Sequence, residues 1–254
     1  MTKSREKTKM SCFLLITLPL FLGGALCSGS EENTRLSIFG KFSGPVEAGR
    51  SSGEVSLSTA ILSLREIEFQ ADSQGPGSGE SAFPGPFVID LLQGEGEVPD
   101  GCQTEEPDLS SVTAGEYEAI DFEMHKTTDL PERCVLFDES VHLAGSVMCD
   151  GMTLSFTYLD DFNDTFRVES DCPFTIEEDV MSEILVIFDL DAWLAGIDLC
   201  TAEREEDGSI VIDRDHNAGM ANEIRDNVKA SVDAGEDLDG DEDLDAEDCQ
   251  PMKR

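Results

Sequence analysis

Apolar residues recur at every second position along most of this chain, and that spacing commits it to pleated strands rather than helices. In EVSLSTAILSLREIEFQ the inward set runs Val55 and Leu57, then Leu62 and Leu64, then Ile67 and Phe69. Its phase slips twice, which calls for a bulge or a break. SVTAGEYEAIDFEM turns at Ala114-Gly115 and then points Ile120, Phe122 and Met124 one way, Asp121 and Glu123 the other. That is the pattern of a half-buried antiparallel strand with a wet face. RLSIFGKF (Leu36, Ile38 and Phe42 on one face), PFVIDLL, VHLAGSVMC, TFRVES and SIVID read as further strands, as does MTLSFTYL with Met152, Leu154, Phe156 and Tyr158 inward. ILVIFDL is apolar on both faces and belongs in the middle of a sheet, and DAWLAGIDL reads as a short turn that anchors Trp193. ADSQGPGSGESAFPGP and QGEGEVPDGCQTEEPDLSS read as long loops, the second tethered through Cys102. One helix is expected, capped by Asn217, with Met220, Ile224 and Val228 at i, i+4 and Val232 extending the stripe. The sum is a mainly β chain: one antiparallel β-sandwich-like domain of eight to ten strands over residues 33–232, with one C-terminal helix and an acidic tail at 233–254.

The charge balance decides which partners are admissible. Seventeen basic residues face 55 acidic ones, a net charge of −38. Such a surface repels phosphate backbones and anionic lipid headgroups, so nucleic acid and peripheral membrane binding are set aside. Cations, basic proteins and neutral sugars remain, although solubility alone accounts for a surface of this kind.

Residues 1–27 read as a secretory signal peptide. MTKSREKTKM is basic, SCFLLITLPLFLGGAL carries no charge, and small residues follow. The apolar run is short for a membrane span, so an uncleaved anchor is the weaker reading. Cys27 is a candidate lipidation site, but Leu26 stands where lipoprotein signals place a small residue. Cleavage after Ala25 fits at least as well. The expected location is extracytoplasmic, with membrane attachment only through such a lipid or anchor.

An exported chain with an even set of cysteines reads as disulfide-bonded. Beyond the leader, with its Cys12 and Cys27, stand Cys102, Cys134, Cys149, Cys172, Cys200 and Cys249. Six cysteines allow about 15 pairings, and sequence alone does not choose among them. A bridge such as Cys134 to Cys149 illustrates the magnitude: a loop of that size contributes roughly 3 kcal/mol on the chain-entropy account. No CxxC pair is present, and no histidine stands at metal-ligand spacing from a cysteine.

Signals of catalysis are absent from the motifs. Neither a G-x-S-x-G elbow nor an HExxH helix occurs, and His125, His142 and His216 read as surface histidines. Among so many acids, carboxylate pairs such as Asp160-Asp161 arise by chance. Calcium is the one chemical candidate. Asp237, Asp239, Asp241, Asp245 and Asp248 fall at spacings resembling the thrombospondin type 3 pattern, D-x-D-x-D-G-x-x-D-x-x-D. Glu242 replaces its glycine, and only one such unit is present. Ten of the 16 residues from Asp233 to Asp248 are acidic, a composition that also suits a solvated, disordered tail. DRDHN repeats the 1-3-5 spacing with Asp213, Asp215 and Asn217, where helix capping is the preferred reading. LDDFNDT is weaker, and its Asn163-Asp164-Thr165 also fits a glycosylation sequon.

Three segments resemble a family of bacterial exported domains of unknown function, many of them lipoproteins. ILSLREIEF is similar to an early segment of that family, FVIDLLQGEG to its (V/I)-D-L-L strand, and VTAGEYEAIDF to its A-G-x-Y-x-x-I turn and strand. Ala114, Gly115, Tyr117 and Ile120 carry the last match. The resemblance spans about residues 33–232 and implies a β-sandwich-like envelope module without catalytic residues. The six later cysteines and the acidic tail depart from it.

The leading expectation is therefore a non-catalytic secreted or envelope β domain with a structural or ligand-binding role and no certain cofactor. A calcium-assisted adhesion or carbohydrate-binding module is the first alternative. An exported hydrolase without a recognisable motif is the second.

Overall fold

The computed structural model describes residues 34–43, 46–47, 54–71, 81–92, 101–105, 107–109, 112–177, 180–238 and 244. Among them the strands are β1 (Thr34–Lys41), β2 (Val46–Glu47), β3 (Glu54–Ala71), β4 (Ser81–Asp90), β5 (Gly115–His125), β6 (Val141–Cys149), β7 (Met152–Asp160), β8 (Asn163–Ile176), β9 (Ser182–Asp189), β10 (Ile210–Ile212) and β11 (Val232–Glu236). Helix α1 (Leu190–Trp193) is a single turn, and α2 (Ala218–Ala230) is the one long helix. Eight strands make one sheet and three make another, β1-β9-β11, so the β-sandwich-like expectation holds.

Strand β3 organises the large sheet. On one edge it pairs first with β6 (Val55 to Leu62) and then with β5 (Leu64 to Ala71). Its other edge takes β2 and β4. An 18-residue strand this long has to bend, and it does so where the apolar phase slips. The register shifts between Leu57 and Thr59 against β6, and between Leu64 and Glu66 against both β4 and β5. Each bulge resets the alternation, so Val55, Ala60, Leu62, Leu64, Ile67 and Phe69 all enter one core. Glycines stand opposite both. A Cβ at Gly145 would lie 2.1 Å from the Ser56 carbonyl oxygen, and one at Gly85 would lie 2.5 Å from that of Leu64. No other residue lets the facing strands approach so closely.

The main core lies between the two sheets. Phe69 meets Phe83, Tyr117 and Phe174, mostly edge-on, while Phe166, Phe188 and Trp193 form a second edge-to-face series. β9 is central in the small sheet and buried on both faces from Ile184 to Phe188, as its unbroken apolar run requires. Trp193 is fully buried at the end of α1, whose first turn is capped by the Asp189 carboxylate accepting from the Ala192 N–H.

Several boundaries differ from the sequence reading. β4 begins at Ser81 and runs through Pro84 and Pro86, which the composition assigned to a loop. It tolerates them as an edge strand with no ladder partner beyond β3 among the described residues. β8 continues past TFRVES to Ile176. Met152 is not inward: it sits at the β6–β7 turn and is 53% exposed. Asn217 does not cap α2 with its side chain. It adopts a left-handed conformation, and its amide accepts from the Glu203 N–H and donates to the carbonyls of Glu203 and Val211. Ile224 and Val228 are buried as expected, but Val232 opens β11 instead of extending the helix. The domain therefore continues to Glu236, four residues past the boundary drawn from the acidic composition.

Candidate functional site

The most interconnected polar group lies where α2 packs on the end of β7. Asp160 is almost wholly enclosed, with its side chain 4% exposed, and Arg225 of α2 forms a salt bridge to it. The Arg225 Nε donates to Asp160 Oδ2 at 3.0 Å, and the Tyr158 hydroxyl donates to the same oxygen at 2.7 Å. Behind this pair the Arg225 guanidinium stands 5.1 Å over the Phe162 ring. Burial and then the Asp160 charge push the Tyr158 hydroxyl up, so it stays a donor. The hydrogen bonds to Asp160 hold Arg225 above its ordinary value. Arg214 pairs with Asp161 at 2.9 Å, and Lys229 with Asp164. The Lys229 hydrogen bond holds Asp164 below the usual carboxylate range. Glu139, close by, is pushed up by burial and then by the Asp161 charge. With every ligating oxygen of Asp160 engaged by Arg225 or Tyr158, this arrangement fastens the helix and leaves Asp160-Asp161 no geometry for paired-carboxylate chemistry.

A second group lies on the opposite face of the large sheet. Ile61 and Val88 project away from the main core and are covered by Leu130, Leu136 and the Cys102–Cys134 bridge, whose sulfurs belong to this small apolar cluster. The Thr104 hydroxyl accepts from the Val88 N–H, tying the covering loop to β4. The loop around Cys102 is tethered as expected, but through Cys134, not by the illustrative Cys134–Cys149 pairing. Cys149 is joined instead to Cys200, which binds the β6–β7 turn to the 3₁₀ turn Leu199–Thr201. Each bridge closes a loop worth about 4 kcal/mol on the chain-entropy account. His142 stands on this covered face, beside Ile61 in register. Its Nδ1 and the Ser63 hydroxyl are buried and find no hydrogen-bond partner among the described residues. Burial pushes the His142 imidazole down.

Along β4 runs an open cleft of about 510 Å³, lined by Ala82, Pro84, Gly85, Pro86, Glu105 and Asp108 among others. Its lining is mixed, with apolar residues of β4 beside Thr104 and the carboxylate residues Glu105 and Asp108. That combination suits a neutral or cationic ligand and disfavours an anion.

The histidines are scattered. His125 ends β5 and contacts the Lys126 carbonyl oxygen, His142 is half-buried in β6 beside Ile61, and His216 pairs with Asp213 at 3.0 Å on the surface. In DRDHN the Asp213 carboxylate accepts from the N–H groups of Asp215 and His216, so it closes a turn on its own backbone. Asn163 and Thr165 of the sequon are exposed at the start of β8. Of the calcium candidates, Asp237 is described, its N–H donating to the Glu183 carbonyl oxygen at 3.0 Å. Asp239, Asp241, Asp245 and Asp248 lie outside the described residues, as do residues 1–27 with Cys27, and Cys249. Among the described residues, no three histidine, cysteine or acidic side chains are grouped to hold a metal ion. The Asp160–Arg225 pair had no sequence signal, because its members are 65 residues apart and nothing local marks them as partners.

No family model, no curated protein and no solved structure matches this chain.

Proposed function

We propose that this chain works outside the cytoplasm as a non-catalytic β-sandwich module with a structural or ligand-binding role. The observation that carries the reading is the pair of bridges, Cys102–Cys134 and Cys149–Cys200. Structural bridges of this kind persist in oxidising compartments and are rare in reducing ones. The leader-like first 27 residues and the motif resemblance to exported domains point the same way. Scattered histidines, each held in a different setting, support the non-catalytic half. The cleft along β4 is where a neutral or cationic ligand would be received.

Expression of the full chain from its own start in a secreting host tests this. The expected product is extracytoplasmic, shortened by about 25–27 residues at its N-terminus, with these four cysteines oxidised. Recovery of the intact chain from cytosol with free thiols overturns the proposal. Ester or glycoside hydrolysis that disappears on a His→Ala change would replace it with the hydrolase reading.

A further inference from the structure

We infer that the cleft along β4 receives the ammonium or guanidinium end of a lysine or arginine side chain carried by a basic peptide. The inference rests on the reading of this cleft as a ligand site and narrows it from neutral or cationic to cationic.

Charge decides between the two. Among the described lining residues the only ionisable ones are Glu105 and Asp108, both exposed, and no lysine, arginine or histidine joins them. A neutral ligand lying over the cleft would take water from these carboxylates and return no counter-charge, which is costly. A cation replaces that water with an opposite charge. Two carboxylates are too few to cage a metal ion. Among the described residues, no three histidine, cysteine or acidic side chains are grouped to do so. The cation is therefore organic.

The rest of the lining suits the stem of such a side chain. Ala82 and Pro84 are exposed, and Pro86 is half-buried. Lysine and arginine lay their methylene groups along apolar surface of this kind while the charged head stays polar. Main-chain pairing is disfavoured in the same place. Pro84 and Pro86 have no N–H, and the Val88 N–H is already taken by the Thr104 hydroxyl. An incoming strand finds no donor at these three positions of the edge, so recognition falls to side chains.

The two carboxylates stand on a segment fixed before any ligand arrives. Cys102 is bridged to Cys134, Thr104 is bonded to β4, and Leu109 is buried in the main core. A segment already ordered spares the ligand that cost on binding. An open cleft covers only one side of what it holds, so a small free cation would be held weakly. A peptide adds contacts along the strand, and a net charge of −38 draws a basic one in.

The probe is a fluorescein-labelled peptide of Gly-Ser-Lys repeats, titrated into the folded, oxidised full chain at about 0.15 M salt. Anisotropy gives the affinity, and amide NMR shifts locate the peptide and check the fold of each variant. Saturable binding that moves the amides of Ala82, Gly85 and Thr104 is expected. It should weaken about fivefold in Glu105→Gln/Asp108→Asn. It should not change in Glu206→Gln/Glu223→Gln, which removes two exposed carboxylates elsewhere. Equal weakening in both double variants, or shifts that bypass the cleft amides, assigns the attraction to diffuse charge and overturns the inference. Absence of binding overturns it as well. So does equal binding of the same peptide with its lysines acetylated, a result that would leave the cleft a site for neutral ligands. Binding at the cleft together with failed secretion would sink the export reading and leave this inference standing.

Discussion

Two parts of this molecule are fastened to the large sheet by different chemistry. The covering loop over Ile61 and Val88 is held by a covalent bridge inside an apolar cluster. Helix α2 is held by a buried carboxylate, one arginine and a tyrosine hydroxyl. In a chain with 17 basic residues against 55 acidic ones, cations are scarce. One of them is spent where a carboxylate is most deeply enclosed, and sulfur does the fastening elsewhere. The two regions should therefore fail under different conditions: the loop under reductant, the helix when its charge pairing is broken.

The largest expected effect is on the bridged side. Replacing Cys102 and Cys134 together by serine should lower unfolding free energy by about 4 kcal/mol. Urea unfolding measures it, and the loss should be insensitive to salt. Arg225→Ala should cost about 3 kcal/mol, because it leaves the Asp160 carboxylate enclosed without a counter-charge. Arg225→Lys should recover only part of this, since an ammonium cannot reproduce the forked contact and the stacking on Phe162. A loss of equal size in both variants would mean that a positive charge alone recovers nothing and that the forked guanidinium contact carries the whole effect. Reductant should leave the Arg225→Ala deficit unchanged; if it does not, the two fastenings are coupled and the contrast fails.

A pH titration sharpens the comparison further. Burial depresses the His142 imidazole, so the unfolded chain takes up a proton there before the folded one does. The stability this group contributes is complete above the ordinary histidine value and is lost as the pH falls from there to the folded value. The slope is at most about 1.4 kcal/mol per pH unit. Glu139 is displaced upward by burial and by Asp161, so its proton stabilises the fold over a lower range and acts in the opposite sense. The difference between the wild type and His142→Phe isolates the histidine. Identical profiles would show that burial in the fold does not desolvate it. At the small end, Met152→Ser should change stability by less than about 0.5 kcal/mol, since the side chain is mostly exposed.

What could be read from the sequence followed from local periodicity. The two phase slips in β3 marked both bulges, because a strand that keeps one face in the core has no other way to change parity. Ile120, Phe122 and Met124 are buried as alternation demands, and so is Trp193. The misses were positions where a tertiary contact overrides a local preference. Pro84 and Pro86 lie in a strand because that strand is at an edge. Asn217 serves Glu203 and Val211, which are distant in sequence or unpatterned, and so gives up the cap it would otherwise make. Four of the five aspartates of the acidic spacing lie outside the described residues, and the Asp160–Arg225 pair and the two described cysteine pairings depended on contacts that no spacing encodes. A truncation that removes the acidic segment to probe calcium binding should end after Leu238, because ending it at the start of β11 would remove a strand of the small sheet.

Strand β1 opens the fold and lies parallel to β9, whose other neighbour is β11 at the far end of the domain. As the polypeptide emerges from its N-terminus, β1 has to wait through some 140 residues for its partner, and the three-stranded layer closes only when the last strand is out. Such distant pairing makes assembly slow. Until β11 is in place, the apolar face of the large sheet has only an incomplete second layer to cover it.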